Sequence, residues 1–412
     1  MSDSRSPIDA VFEEAAVPPR FGVNYVPSRG WWYSWLDWEP AAVATDLCAI
    51  AGLGMDHIRI HCIWPVFQPN PGRISSTALT HLVALLDTAD ECGLDVSVTV
   101  LNGWLSGFYF RPAWQHEDVN LFTDPRAVSA QCELLTAMAE RIASHPRFLG
   151  FDIANEPNVL GHYPGNGITT EQGDSWTRRL LDHCASVAPG RMHVAGFDHE
   201  PWLTDSAPFS REALARTGSA TPLHAWIEFT GVLKRYGYPS TAAHHLGEYL
   251  LELAKAFQAD TRRPVWLQEF GVAPQWIPSA RIADFTEAFT TAALTCDHVW
   301  GITWWASHDI DRSLAGFADL EYDLGLLTTD NQVKPAGRRL ATLISGLRDK
   351  PLTPVPRTTA LVLDDTRAPG WSFAERFFSL VDEGTRPAIV RSSRQDDLAH
   401  LAGRGITRVI DV

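Results

Sequence analysis

The sequence predicts an α/β fold, a (β/α)8 TIM barrel with a small C-terminal α/β module, on three observations. Short β-branched or apolar runs alternate with longer amphipathic stretches, giving eight pairs between residues 20 and 348. Each parallel strand needs a helical crossover to the next, and the right-handed rule keeps the helices outside, so eight units in a row close into a barrel. The residues with the most chemical promise also fall at the C-terminal ends of the candidate strands, the face where such barrels carry out chemistry.

The first unit joins Phe21–Val26 to a helix over 40–52. The second joins His57–Cys62 to 75–92, where Leu79, Leu82, Val83, Leu85, Leu86 and Ala89 share one face while Thr80, Asp87 and Asp90 fall elsewhere. Asp95–Leu101 precedes a helix at 125–144, Phe148–Ala154 one at 172–187, and Met192–Gly196 a short one at 209–216. Pro222–Trp226 with 241–257, Val265–Glu269 with 279–295 and Val299–Trp304 with 334–347 complete the set. The segments 102–124, 155–171, 197–208, 227–240 and 305–333 are rich in Gly, Pro and Trp and are expected to wall a pocket.

Residues 1–19 read as an N-terminal extension and 20–350 as the barrel. Pro351–Pro356 reads as a linker opening a βαβαβ module over 351–412, with strands at Ala360–Leu363, Ala388–Arg391 and Thr407–Ile410 and helices near 372–382 and 395–402. A unit of ~60 residues is small for independent stability and is expected to pack on the barrel or on another subunit, which points to a homo-oligomer.

The 412 residues carry 34 Lys and Arg against 49 Asp and Glu, a net charge of −15, which argues against nucleic acid or an anionic membrane as partner. No apolar run approaches the ~20 residues that a bilayer requires. The N-terminal stretch lacks the basic and apolar regions of a signal peptide, so a cytoplasmic location is expected. Six scattered cysteines without a CxxC pair read as reduced core residues, indicating neither a disulfide framework nor a zinc site. Sixteen tryptophans stand out. Any one of them reads as core or loop packing; as a group they suggest flat apolar platforms on which sugar rings stack.

Two carboxylates draw attention. Glu156 ends the run Phe151–Pro157, where an apolar strand gives way to an amide, an acid and a proline, and Glu269 ends Val265–Gly271 in the same manner. They close the fourth and seventh strands, which sets them across the barrel mouth from each other. Singly, each reads as a surface or salt-bridged residue. Paired over a tryptophan-lined pocket, they form the arrangement that glycoside hydrolysis needs, one acid protonating the leaving oxygen and the other attacking or stabilising the anomeric carbon.

Asn155-Glu156-Pro157 and Trp266-Leu267-Gln268-Glu269-Phe270-Gly271 resemble the acid/base and nucleophile signatures of glycoside hydrolase family 5, in the clan of retaining (β/α)8 glycosidases, over about residues 20–348. Phe21–Tyr25, Gly30–Trp38 and Thr303–Asp309 resemble the family's bacterial exo-β-mannosidase branch, which removes terminal β-linked mannose from short mannosides, including the mannosyl-β-1,4-N-acetylglucosamine of N-glycan cores. The resemblance implies Glu156 as acid/base, Glu269 as nucleophile and Asn155 as partner of the sugar 2-hydroxyl. It also implies Arg59 beside the nucleophile, His224 in a supporting role and Trp304 or Trp305 under the sugar. No cofactor or metal is implied.

The sequence departs from the family pattern at Asn102-Gly103-Trp104, where many members carry a third-strand histidine, and at Trp226, where tyrosine is common. Asn102, Trp104 and Trp226 are therefore expected to bear on substrate choice. His308 and Asp309, just past the eighth strand, are expected to bind hydroxyls of the terminal sugar, with a solvated loop as the alternative; their spacing completes no metal shell. His57 and His61 read as structural. An endo-acting mannanase or glucanase, and a barrel that binds glycans without cleaving them, stay open at this point, as does the balance between hydrolysis and transglycosylation.

Overall fold

The computed structural model describes residues 18–116 and 118–411; residues 1–17, most of the expected N-terminal extension, lie outside them. The barrel strands and helices are β1 (Arg20–Asn24), α1 (Pro40–Gly52), β2 (His57–Ile63), α2 (Ser76–Glu91), β3 (Asp95–Asn102), α3 (Pro125–Ile142), β4 (Phe148–Asn155) and α4 (Thr170–Val187). They continue with β5 (Val194–Gly196), α5 (Arg211–Leu214), β6 (Thr221–His224), α6 (Thr241–Phe257), β7 (Val265–Phe270), α7 (Ile282–Ala293), β8 (Val299–Trp304) and α8 (Pro335–Asp349). All strand pairs are parallel, in the order β5-β4-β3-β2-β1-β8-β7-β6. The seam between β5 and β6 is bridged just before the two strands, where Ser219 N donates to His193 O at 2.8 Å and His193 N to Ser219 Oγ at 3.1 Å.

Local chemistry explains where the helices begin. Ser75, Asp124 and Ser240 accept hydrogen bonds from backbone amides of the first turn, Thr169 and Gln172 form a reciprocal capping box, and proline opens α1, α3 and α8. The expected helix at 209–216 is a single turn, α5. The expected strand Pro222–Trp226 ends at His224, because a bulge between Leu223 and His224 turns the chain out of the ladder and leaves Trp226 in the following loop.

Along β2, His57, Arg59 and His61 alternate with Ile58, Ile60 and Cys62. The apolar set joins the main hydrophobic core, whereas the polar set bonds across the strands, His57 to Thr303 on β8, Arg59 to Asp152 on β4, and His61 to Asn102 on β3. Much of the barrel interior is thus a hydrogen-bonded network rather than stacked aliphatic layers. Over the strand ends, the hairpin Trp104–Tyr109 and the long segment after β8 meet through Phe108 and Phe317, whose ring centroids are 4.8 Å apart.

After the barrel, β9 (Thr359–Leu363), α9 (Trp371–Asp382), β10 (Ala388–Arg391), α10 (Leu398–Gly403) and β11 (Arg408–Ile410) build a three-stranded parallel sheet in the order β10-β9-β11. This sheet and α9 pack on the outer face of α6. Glu248, Glu252 and Lys255 form a stripe on α6 that would face water in a bare barrel, yet all three are buried. Arg357 reaches Glu248 at 2.7 Å and Glu252 at 3.2 Å, Arg404 reaches Glu252 at 2.7 Å, and Arg386 pairs with Glu248. Burial alone would raise the Glu252 carboxyl, but Lys255, Arg357 and Arg404 outweigh it and hold the pKa at about 2.

Removing one partner of such a buried cluster leaves an uncompensated charge. Arg404→Ala is expected to lower unfolding stability at neutral pH by about 3 kcal/mol in urea titration. Because the Glu252 pKa lies below its ordinary 4.5, the contribution is present above that value and is lost as pH falls toward 2. The gap between variant and parent should therefore narrow in acid; a constant gap, or one below about 1 kcal/mol, would contradict the clamp.

Candidate active site

Arg59, wholly buried at the mouth end of β2, organises the pocket. Its Nε donates to Asp152 Oδ2 at 2.8 Å, Nη1 to Glu269 Oε1 at 2.5 Å and to Asn24 Oδ1 at 2.9 Å, and Nη2 to Asn155 Oδ1 at 2.9 Å. One guanidinium thus fixes side chains from β1, β4 and β7. Gly196, at the end of β5, is a glycine for lack of room: an added Cβ would lie 2.5 Å from Gln268 Oε1 and 2.9 Å from both Arg59 and Asp152.

Gln268 Nε2 donates to Asp152 Oδ2 at 3.2 Å, which turns the amide oxygen toward His224 Nε2, 3.1 Å away. That oxygen can only accept, so the proton of the neutral imidazole sits on Nε2 and the bare Nδ1 faces the two acids. Nδ1 lies 2.8 Å from Glu156 Oε1 and 3.3 Å from Glu269 Oε2. Burial pushes the His224 pKa down, which keeps the ring neutral. A bare ring nitrogen beside Glu156 is satisfied when that carboxyl is protonated.

The two acids sit at adjoining places in different settings. One oxygen from each and the His224 nitrogen all lie within 4.8 Å of one another. Glu269 is nearly buried and is held by Arg59. Glu156 is 14% exposed and accepts from Trp104 Nε1 at 3.1 Å, and its backbone takes φ 44°, ψ 55°, a left-handed conformation pinned by Glu156 N donating to Gly196 O at 2.7 Å. Burial raises both carboxyls, Glu156 to about 8 with the negative charge of Asp198 adding to the rise, and Glu269 to about 7, where the Arg59 guanidinium opposes the rise. Glu269 therefore ionises first and Glu156 keeps its proton longer. The same trio could offer ligand atoms to a cation, but the Arg59 guanidinium on Glu269 already supplies the positive charge there.

Aromatic rings enclose this centre. Trp305 lies 5.8 Å from Trp32, 5.3 Å from His61 and 6.4 Å from Trp226 between centroids, and Trp226 continues to Trp276 and Phe229. Of the two eighth-strand candidates, Trp305 faces the site. Trp304 does not, since its ring packs on Phe270 at 5.1 Å and its Nε1 donates to Leu324 O. Asn155 is in reach of the acids, and its Nδ2 donates to Trp104 O at 3.1 Å.

The surroundings of three further expected residues differ from a direct sugar contact at Asn102 and His308 and engage one oxygen of Asp309. Asn102 is buried behind the pocket, donating to Cys62 O and Thr99 O and holding His61 at 3.0 Å, so it acts on the site only through that ring. Both ring nitrogens of His308 are taken up by protein, Nδ1 at Val26 O and Ser307 Oγ, Nε2 at Asn331 Oδ1, and the residue is buried. Asp309 accepts from Lys334 Nζ at 2.6 Å and from Gly325 N at 2.9 Å. His308 thus ties down the segment after β8 instead of presenting a free ring nitrogen to a sugar, and Asp309 ties it through Oδ1. Asn24, Asp152, Asp198 and Gln268 were not singled out from the sequence; a lone polar residue inside an apolar strand, as Asp152 and Gln268 are, was the available clue.

A parallel eight-stranded barrel with paired, unequal carboxyls over a tryptophan-lined mouth defines a glycoside hydrolase of the retaining type. The chain belongs to glycoside hydrolase family 5, subfamily 18. It is similar to a subfamily enzyme from Streptomyces cattleya, a glutamate-to-alanine variant solved with Manβ1-4GlcNAc, at 46% identity and TM-score 0.91 over 95% of this chain and 98% of that one. A glutamate-to-alanine variant of a subfamily enzyme from Bifidobacterium longum subsp. longum, also solved with Manβ1-4GlcNAc, is 35% identical with TM-score 0.89 over 95% and 96% of the two chains. An exo-β-1,4-mannosidase from Opitutaceae bacterium strain TAV5 shares the fold at 24% identity and TM-score 0.77, over 91% of this chain and 69% of that one. No family model matches the sequence, and no curated protein does.

The bond from Trp104 favours the ionised form of Glu156. Trp104→Phe deletes the donor and is expected to raise the Glu156 pKa further, by about one unit. Titration of the carboxyl carbon by NMR checks this, and an unchanged or lowered value would refute it.

Proposed function

We propose that this chain is an exo-acting β-mannosidase that releases the terminal mannose of short β-mannosides such as mannosyl-β-1,4-N-acetylglucosamine, with residues 20–350 as the catalytic barrel. The observation that carries this reading is the Glu156–His224–Glu269 cluster. Atoms of the two carboxyls and the imidazole lie within 4.8 Å of one another, which supports the close setting of double displacement (~5–5.5 Å) over the ~6.5–9.5 Å that the intervening water of an inverting enzyme needs. Ionised Glu269 attacks the anomeric carbon while Glu156 gives its proton to the leaving oxygen, and the glycosidic bond breaks as the glycosyl–Glu269 ester forms. Glu156, now ionised, takes a proton from water, whose oxygen attacks the same carbon and frees Glu269.

In this reading Asn155 serves the 2-hydroxyl, and Trp305 and Trp226 serve the faces of the sugars. Subfamily relatives solved with Manβ1-4GlcNAc support the choice of substrate. Exo action is supported by the contact of Phe108 with Phe317, which closes one side of the mouth that an endo enzyme would keep open.

No helix among the described residues is long and apolar enough to cross a membrane. The cytoplasmic reading is supported by six scattered cysteines without a CxxC pair. Self-association through residues 351–412 is supported by exposed Trp371 and Leu398; a monomeric mass in light scattering would discard it.

Mass spectrometry of products from the disaccharide and from longer β-1,4-mannosides should show single mannose units; internal cleavage would replace the exo reading. Glu269→Ala is expected to abolish turnover on both. Glu156→Ala should lose about 10²–10⁴-fold on the disaccharide and much less on an aryl β-mannoside whose leaving group needs no proton. An active Glu269→Ala protein would sink the assignment. The plot of kcat/KM against pH should be bell-shaped, rising as Glu269 ionises near 7 and falling as Glu156 loses its proton near 8. A profile flat from pH 6 to 9 would contradict this division of roles.

A further inference from the structure

Of the six cysteines, read from the sequence as core residues, Cys62, Cys184 and Cys296 are buried, whereas Cys48 is exposed and Cys92 half-buried. Neither of these two takes part in the mechanism. Cys48 lies in the last two turns of α1 and Cys92 directly follows α2. Barrel helices run back from the mouth, so both stand toward the end of the barrel opposite the pocket. α1 and α2 pack on each other there, and the two sulfurs are 3.3 Å apart. The gap to the ~2.05 Å of a disulfide is about 1.2 Å, a movement of side chains rather than of helices.

The backbone on each side of this contact is pinned. Cys92 N donates to Thr88 O at 3.2 Å, Gly93 N to Asp90 O at 3.1 Å and Leu94 N to Ala89 O at 2.9 Å, with Gly93 at a left-handed φ of 74°, so the last carbonyls of α2 are closed around Cys92. On α1, Asp46 is 1% exposed and accepts from the Tyr25 hydroxyl at 3.0 Å, Ser28 N at 2.9 Å and Asn331 Nδ2 at 3.1 Å. Those bonds turn Asp46 inward, and a residue two places on leaves an α-helix on nearly the opposite side, which carries Cys48 outward. Burial pushes the Cys92 thiol up to about 11, with Cys48 and Glu91 beside it adding to the rise. Cys92 therefore keeps its proton at neutral pH, and the exposed Cys48 is the sulfur that an oxidant meets first.

We propose that Cys48 and Cys92 form a reversible oxidation site, at which a hydroperoxide joins them in a disulfide that locks α1 to α2. The Cys48 sulfur attacks one oxygen of the peroxide, the O–O bond breaks, and the other oxygen leaves with the thiol proton as water or an alcohol. Cys48 is then a sulfenic acid. The Cys92 sulfur attacks the Cys48 sulfur, the S–O bond breaks, and the departing oxygen takes the Cys92 proton and leaves as water. Two thiols have given up two electrons, the peroxide has accepted them, and a dithiol reductant reverses the change by exchange. The bond joins residues 44 positions apart and so restricts the unfolded chain, and through Asp46 it holds the helix that ties down the segments after β1 and β8. A transient bond of this kind is compatible with a compartment that otherwise keeps thiols reduced.

The experiment treats the reduced full chain with a small molar excess of hydrogen peroxide, blocks the remaining thiols with N-ethylmaleimide in denaturant, and maps the peptides by mass spectrometry beside thermal melts of the treated and untreated protein. The expected product is a Cys48–Cys92 linked peptide, with two fewer blocked thiols than the six of the reduced chain. The melting temperature is expected to rise by about 3 °C or more and to return when dithiothreitol is added. Cys48→Ser and Cys92→Ser should each lose both the link and the rise. Neither readout depends on the substrate assigned to the barrel. Cys48 found as sulfinic or sulfonic acid without a link, a link between any other pair, or a link that leaves the melting temperature unchanged or lowered would overturn the proposal.

Discussion

The buried guanidinium of Arg59 is the constraint around which the rest of the site is arranged. A charge at 0% exposure is tolerated only where it is paired and its donors are used, and here Asp152, Glu269, Asn24 and Asn155 use them. That requirement explains why polar residues occupy inward positions on β1, β2, β4 and β7, why Gly196 carries no side chain, and why the apolar residues of the same strands face the helices. The network also sets orientation, because each partner of Arg59 is held by a planar fork rather than by a point charge.

From the same centre comes the inequality between two chemically identical side chains. Glu269 shares the guanidinium, whereas Glu156 faces Trp104, Asp198 and the bare nitrogen of His224. The chain from Arg59 through Asp152 and Gln268 to His224 settles where the imidazole proton sits, and hence where the carboxyl proton is welcome. Environment separates the proton holder from the anion, as general acid catalysis beside a nucleophile demands.

Much of the barrel is legible in the sequence because its units are strongly periodic. α1 and β8 begin and end where the pattern puts them, and Glu156 and Glu269 stand out because an acid closing an apolar strand is conspicuous. What escapes is whatever depends on partners distant in sequence. The stripe Glu248, Glu252 and Lys255 reads as a solvated helix face until the arginines that bury it, Arg357, Arg386 and Arg404, are seen to come from far along the chain. His308 and Asp309 look like free polar groups because Asn331 and Lys334, which occupy them, lie on the returning arm of the same loop. Trp304 and Trp305 are adjacent and identical; only the side of the strand each faces tells them apart. Short β5 and β6 blur for a different reason, since a bulge and a bridging serine shift their ends.

The dependence of α6 on the module has a consequence in time. A ribosome delivers Glu252 well before Arg404, 152 residues later, an interval of about 8–30 s at ordinary elongation rates. Throughout it the helix that backs β6 and β7, and with them His224 and Glu269, carries acids without the arginines that neutralise them. A chain that stops before Arg404 therefore leaves the buried Glu252 short of one of its cations, on the helix that backs the pocket.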